Sequence, residues 1–475
     1  MYEFGRSVSI DTIFFNHTIE YMEIKNIDLF EKDPIPKAVL KLAVPTVLGM
    51  IVAVFYNMVD TFFVGQTGDP NQMAAVSVAT PVFLFFMAAG NIFGIGGSSF
   101  LSRALGEKQY DKVKKISAFC FYTGIATGIV GAILMFTFMT PLLHAVGTSE
   151  NTFDFARSYL TWIALGGPSI VVSTTFQNLV RGEGAARDSM AGMISGTVAN
   201  ILLDPFFILD SFLGIPCLGM GVPGAAIATV LGNIVSIIVF MAHVCSKSSV
   251  LTIRARHFAI RGGIFRGVML IGLPASITNI LMSLSSILLN KFLVTYGDIP
   301  VAAMGIAMKA NMLALFVQLG LGIGIQPLVG YNYGARNFKR MKGVMKFAML
   351  CVFTAGVTIT GVYFVFTREI ISVFINDESV IETGMTMLRA LMLSSPVLGI
   401  LFVFNFSFQA MGKAIQSLAL AVSRQGFIFL PCVFILNNFF QLEGLILCQP
   451  IADIVSILMS LGMFLWLNKD FKQME

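Results

Sequence analysis

Two stretches decide the fold when set side by side: FGIGGSSFLSRALGEK at residues 93–108 and LGIGIQPLVGYNYGAR at residues 321–336. Gly94, Gly96 and Gly106 in the first answer Gly322, Gly324 and Gly334 in the second, each pair 228 residues apart (322 − 94 for the first). Pro168 and Pro396 keep that offset, and Pro45 and Pro274 miss it by one. Chance glycines do not hold one register across three apolar runs and a further proline. The chain is therefore two copies of one unit.

The unit is built for lipid. Of 475 residues, 56% are hydrophobic and 12% charged, and mean hydropathy is +0.82. A water-soluble surface must be more polar than this allows. Turn and charge clusters divide the apolar runs into twelve expected spans, at 37–66, 72–105, 112–144, 152–182, 187–212, 222–246, 265–296, 300–334, 340–374, 380–411, 415–439 and 443–468. Each reaches or exceeds the roughly 20 residues that cross a bilayer. No polar stretch exceeds about 40 residues, so no large soluble domain is left over. The expected fold is an all-α polytopic membrane protein: twelve transmembrane helices in two six-helix lobes. Six spans per repeat return the chain to its starting side, so a pseudo-two-fold axis along the membrane normal relates the lobes.

Loop charge sets orientation. RALGEKQYDKVKK, RGEGAARDS, KSSVLTIRARHFAIRGGIFR and GARNFKRMKG are basic, whereas GQTGDPNQ, DSFLGIPCLGMG, TYGDIP and NNFFQLEG hold no Lys or Arg. The positive-inside bias then puts the basic loops and both termini in the cytoplasm, with the chain in the cell membrane. It also accounts for the net charge of +5 without nucleic acid. The expected organisation is an N-terminal cytoplasmic segment 1–36, a first lobe 37–246, a cytoplasmic linker 247–264, a second lobe 265–468 and a tail 469–475. Residues 1–33 have no secretory h-region. Met22 reads as the more natural start, which makes residues 1–21 an expected upstream extension.

Other chemistry is sparse. Cys120, Cys217, Cys245, Cys351, Cys432 and Cys448 are scattered without metal spacing and read as small core residues. His17, His144, His243 and His257 fall in loops or at span ends, with no pair at metal-site spacing. There is no Walker A sequence and no HExxH, so no cofactor and no enzyme activity are expected. The glycines of GNIFGIG and GLGIGIQ lie inside apolar spans, where they suit close helix packing.

Carboxylates inside spans are the exception that points to function. Asp60, in FYNMVDTFFVGQTGD, lies eight residues inward of Gly68, roughly 12 Å at the helical rise. Tyr56 and Asn57 precede it by four and three residues and share its helical face, from which they can donate to it. In VANILLDPFFILD, Asp204 follows Asn200 by one turn at a similar depth, and Pro205 loosens the ladder beside it. Thr229 of span 6 enters from the same side. Two acids, an amide and a hydroxyl meeting in the first lobe suit a proton or a small alkali cation. The plainer reading of each acid is an aspartate hydrogen-bonded within a helix bundle. The second lobe lacks such a pair. It carries Lys291, Lys309, Arg389, Arg424 and Asp453 inside spans, and Arg424 and Asp453 are expected to pair as a lock or gate. Gln177, Asn178 and Arg181 stand at the inward end of span 4, where Arg181 reads as a positive-inside residue. Some of the 27 Met and 44 Phe suit an adaptable cavity.

At this point the sequence resembles the multidrug and toxic compound extrusion (MATE) transporters, in the DinF-like or Gram-positive multidrug-pump branch. The resemblance rests on Pro45-x14-Asp60-Thr61-x-x-Val64-Gly65, RALGEKQYDK, FQNLVRGEGAARDSM, NILLDPFFI, GAAIAT, GLPASI, QPLVGYNYGAR and FQAMGKA, and spans residues 35–468. It implies an antiporter that exports cationic or amphiphilic drugs as H+ or Na+ enters. It maps the cation site onto Asp60, Asn200, Asp204 and Thr229, with Asn57 beside them and Asn178 as a weaker member. Tyr56, Gln177, Arg424 and Asp453 become cavity or gate residues and Pro45 a hinge. Span 7 has no acid and span 10 has Arg389, so coupling is expected through the first lobe. Partners are small molecules and the bilayer, and a monomer is expected. The nearest alternative is a lipid-linked oligosaccharide flippase of the same superfamily, which needs a cationic cavity.

Overall fold

The computed structural model describes residues 27–212 and 214–474; the expected extension, residues 1–21, and His17 lie outside the described residues. Span 1 is the helix Ile35–Gly65, span 2 Pro70–Gly106 and span 3 Tyr110–Thr137. Span 4 is a pair, Glu150–Leu165 and Gly167–Gly182. Spans 5 and 6 are Ala186–Ile208 and Val222–Val244. Spans 7, 8 and 9 are Ile264–Leu293, Asp298–Gly334 and Phe338–Val365. Span 10 is Glu378–Leu393 and Ser395–Ala410, bent by 46°. Span 11 begins as Ala414–Val422, passes a π-helical turn at Ser423–Phe427 and enters Phe429–Met474. That last helix leaves helical geometry at Gln441 (φ 52°), and residues 442–474 are span 12. By length and apolarity, nine helices among the described residues can cross a membrane, or ten with the bent pair counted as one. The stretch 414–469 is one of the nine and holds two spans, and span 4 completes the twelve.

The helices end earlier than expected at three places, for local reasons. Span 5 stops at Ile208 because, just beyond it, Ser211–Phe212 pairs antiparallel with Ile215–Pro216. The chain after it lays the N–H groups of Cys217 through Gly221 on the carbonyls of residues 206–210. The last carbonyls of a helix need such donors. Spans 3 and 9 stop at Thr137 and Val365, and each is followed by a short separate helix, Met139–Ala145 and Thr367–Ser372.

These breaks repeat as faithfully as the glycines do. Phe138 (φ −109°, ψ 21°) and Phe366 (φ −104°, ψ 26°) end the twin spans at the same offset. Lys108 (φ 58°) and Arg336 (φ 57°), also twins, hold the left-handed conformation that side chains rarely take. The lobes meet around spans 2 and 8. A Cβ on Gly106 would lie 2.0 Å from Tyr331 O, and one on Gly334 2.2 Å from Arg103 O. Arg103 and Tyr331 are themselves twins, so the contact is isologous and the pseudo-two-fold axis runs through it. Ser276 Oγ donates to Ala88 O (2.9 Å), Ser99 Oγ to Gln409 O and Arg103 Nη1 to Met411 O (3.5 Å). These contacts run from the middle of span 2 to its basic end, so the lobes are closed on that face.

That face is also strapped. The helix Ile27–Glu31 docks on the second lobe: Phe30 stacks on Tyr331 at 4.7 Å, and Arg340 binds the carbonyls of Leu29, Phe30 and Asp33. The connection between lobes packs on the first lobe. Glu183, only 4% exposed, accepts from Ser249 Oγ (2.9 Å) and Val250 N (3.1 Å) and meets His243 Nε2 at 2.5 Å.

Candidate functional site

Spans 1, 4, 5 and 6 enclose the first lobe's polar cluster. Spans 5 and 6 touch closely because Gly232 has no side chain: a Cβ there would lie 2.7 Å from Gly196 O and 3.0 Å from Asn200 Cβ. That approach buries Asn200 (3% exposed) and Asp204 (0%) one turn apart on span 5, with Thr229 (7%) facing from span 6. Pro205 lacks the N–H that would reach back to the carbonyl of Ile201. Asp60 stands half-buried on span 1. Asp60 acts electrostatically on Asp204, and both act on the hydroxyls of Tyr56 and Tyr159.

The polar atoms here are unusually short of partners. Both carboxylate oxygens of Asp204 and both amide atoms of Asn200 are buried and make no hydrogen bond. Buried polar groups are nearly always satisfied, and an ionised carboxylate in an apolar bundle costs several kcal/mol. Two carboxylates, an amide oxygen and three hydroxyls form an all-oxygen donor set. Such a set fits a proton or a hard alkali cation and lacks the soft donors a transition metal prefers.

Some expected roles change. The Tyr56 hydroxyl lies 3.5 Å from Thr229 Oγ1 and does not donate to Asp60. Asn57 sits in the same helix, but its side chain lies outside the described residues. Asn178 does not join the cluster. It lies four residues from the basic end of span 4, whereas Asp204 lies four from the opposite end of span 5. Arg181 Nη2 donates to its Oδ1, and its Nδ2 donates to Thr174 O (2.8 Å). Gln177 turns its amide to Met193 Sδ at 2.8 Å. Span 1 runs through Pro45 without a break in the helix. Tyr159, 8% exposed on span 4, is a member that sequence reasoning missed. Its signal was a polar aromatic within an apolar run, one of many such residues.

The second lobe has its own cavity, about 350 Å3, between spans 7, 8, 10, 11 and 12. Arg424 Nε donates to Asp453 Oδ1 at 2.7 Å inside it. Gln449 Nε2 also donates to Oδ1 (2.8 Å), and Ser394 Oγ donates to Oδ2 (2.9 Å). The i,i+4 spacing of Gln449 and Asp453 was a legible signal for the first of these partners. Arg389 is outside the cavity lining and bonds Thr367 Oγ1 at 3.2 Å.

Twin lobes closed on one face, with an acid pair sunk in one of them, define a bilobed, twelve-span membrane protein of the transporter class. A family model described as MatE matches the chain twice, at residues 45–206 and 274–435. The chain belongs to the MatE family. It is 30% identical over 438 residues to the multidrug export protein MepA of Staphylococcus saprophyticus, covering 92% of this chain and 95% of that protein. The MepA of Staphylococcus aureus strain NCTC 8325 is likewise 30% identical over 432 residues, 91% of this chain and 94% of the relative. Among solved structures, the chain is similar to an outward-facing multidrug resistance MATE family transporter of the MOP superfamily (TM-score 0.85, 25% identity). That likeness covers 94% of this chain and 98% of the other. It is also similar to a MATE in the straight conformation (TM-score 0.86, 26% identity, 94% and 98% covered).

Proposed function

We propose that this chain is a multidrug exporter of the cell membrane. It moves cationic or amphiphilic organic compounds out in exchange for H+ or Na+, and Asp60 and Asp204 hold the coupling ion. The observation that carries this reading is the set of four buried, unpartnered polar atoms on Asp204 and Asn200 in the first lobe. The similarity to multidrug export proteins over nine-tenths of the chain supports the cargo class.

The coupling follows from linkage. The lobes are closed on the basic face, which we take as cytoplasmic by the charge bias of the loops. In this state, cation from outside meets the half-buried Asp60 and passes to Asp204 buried behind it. Binding neutralises the pair and removes the penalty for packing span 1 against spans 5 and 6. Pro45 is the hinge on which span 1 repacks, since a proline interrupts the helical hydrogen-bond ladder. Drug and cation need only favour opposite states for one gradient to drive the other. Residues 37–246 and 265–468 are the two rocking bodies, with 247–264 between them, and a monomer is sufficient.

The test is efflux of a fluorescent cation from vesicles holding the purified chain, with pH and sodium gradients imposed separately. One gradient drives efflux in the parent protein. Asp60→Asn and Asp204→Asn each lose that gradient dependence at normal expression. Full gradient-driven export by both variants refutes the assignment.

A further inference from the structure

We infer that the second lobe's cavity is a binding site for amphiphiles that carry a carboxylate. This deepens the exporter reading and rests on it for the direction of traffic, though not for the binding itself. The cavity holds about 350 Å3 and is walled by apolar side chains such as Met282, Met308, Met312 and Phe429. A few polar groups converge on it, as in small-molecule sites generally.

The charges in it are arranged to receive an anion. Asp453 is spent: both its oxygens accept, from Arg424 and Gln449 on one side and Ser394 on the other. Those bonds use only Nε of Arg424 and hold the guanidinium in place, 5.5 Å over the Phe402 ring. The two Nη groups make no hydrogen bond among the described residues, and Arg424 lines the cavity. A π-helical turn, Ser423–Phe427, sets the direction of the side chain, and Ser285 Oγ donates to Gln425 O at 2.6 Å to support it. Such turns recur at functional sites.

Lys309 adds a second positive charge. It lies eleven residues into span 8, roughly 16 Å from the helix start and so near mid-membrane. It lines the same cavity, with no ion pair among the described residues. Its side chain is exposed, so the charge stands at the open side of the cavity, where an entering anion meets it. Gln318 supports the wall behind these charges. It is fully buried, donates Nε2 to Ser395 Oγ (2.8 Å) and lays its Oε1 against Gly399, where a Cβ would sit 3.1 Å away.

Carboxylate is the anion that fits. A planar guanidinium edge matches its two oxygens, and the net charge of the cavity is +1 from Lys309, Arg424 and Asp453. A phosphate or pyrophosphate asks for more donors than one fork and one lysine supply. The twin lobes thus present opposite signs, with Leu289 of this cavity standing where the repeat puts the counterpart of Asp60.

The test uses the full chain in lipid nanodiscs with no gradient, so it reads out whether or not the coupling scheme holds. Two xanthene dyes identical but for a free carboxylate or its ethyl ester serve as probes, read by fluorescence polarisation. Lys309→Gln is expected to weaken the free acid about tenfold and the ester less than about twofold. Arg424→Lys keeps the charge and the reach to Asp453, so the fold is preserved while the two-point fork is lost; about fivefold weaker binding of the free acid alone is expected. Thermal midpoints matching the parent protein qualify both variants. Equal losses for the two dyes, or no loss for either, overturn the inference.

Discussion

Replacing Glu183 by Ala tests whether the strap between the lobes is held as the geometry says. Glu183 is 4% exposed and serves three donors: the His243 ring at 2.5 Å, Ser249 Oγ at 2.9 Å and Val250 N at 3.1 Å. Removing the carboxylate leaves buried donors without an acceptor, at about 1–3 kcal/mol each. Breaking a buried charged contact costs about 3–5 kcal/mol. Two features hold the total to the low end. Ser249 is a rotor that can find another acceptor, and His243 Nδ1 keeps the Asp188 carboxylate at 3.3 Å. We expect about 3 kcal/mol, acting locally because the other anchors of the strap are separate. Those are Tyr122 OH on Ile253 O (3.0 Å) and Ser117 Oγ accepting from Thr252 N (3.3 Å). The assay is hydrogen exchange of the full chain in nanodiscs, following peptides over residues 247–256. At about 1.4 kcal/mol per decade, the Val250 and Leu251 amides should exchange about 100-fold faster, while peptides from span 2 are unchanged. Exchange within about threefold of the parent protein would show that the carboxylate is not what fixes the strap.

Three further outcomes follow from the same contacts. Asn200→Ala removes one of the few polar neighbours of Asp204, and gradient-driven efflux should fall about tenfold with the melting temperature little changed. Gly334→Ala forces a methyl toward Arg103 O, where a Cβ would sit at 2.2 Å; it should destabilise the chain by about 2 kcal/mol, whereas Gly305→Ala, with nothing within 4 Å, should be neutral or slightly stabilising in the same thermal scan. Ser285→Ala leaves the Gln425 carbonyl without its 2.6 Å donor and should cost about 1 kcal/mol, read as a lower melting temperature and weaker binding of the carboxylate dye.

The architecture was legible because its signals are long-range and redundant. Apolar length marks a span whatever its neighbours do, and the glycine register marks the repeat. Twin glycines Gly106 and Gly334 repeat because each backs onto the other's lobe, so sequence periodicity here records a packing constraint. The site was legible in part, since a carboxylate within an apolar run stands out alone. Its partners did not. Tyr159 lies on span 4, and only the helix packing decides that it meets the acids rather than lipid. Asn178 carried the right chemistry, but Arg181, three residues on, takes its oxygen. Glu183 looked like one charge of a basic loop and is the buried acceptor for the chain between the lobes. Helix ends at Thr137, Ile208 and Val365 were misjudged because apolar composition continues past the point where the backbone turns.

The two lobes agree in backbone and disagree in charge. Lys108 and Arg336 share a left-handed backbone, and Phe138 and Phe366 share a helix break, at one constant offset. The repeat offsets put Leu289 and Cys432 where the first lobe has Asp60 and Asp204, and Pro81, Gly196 and Ala225 where the second has Lys309, Arg424 and Asp453. A duplicated frame tolerates this because helix ends and glycine contacts are fixed by the pseudo-two-fold packing, while side chains facing a lobe's interior are not. On the exchange proposed above, acids in one lobe and a held arginine in the other spare cation and organic solute from competing for one set of groups. On that proposal, the two ligands act on each other through the contacts between the lobes, and opposite state preferences are the condition for exchange.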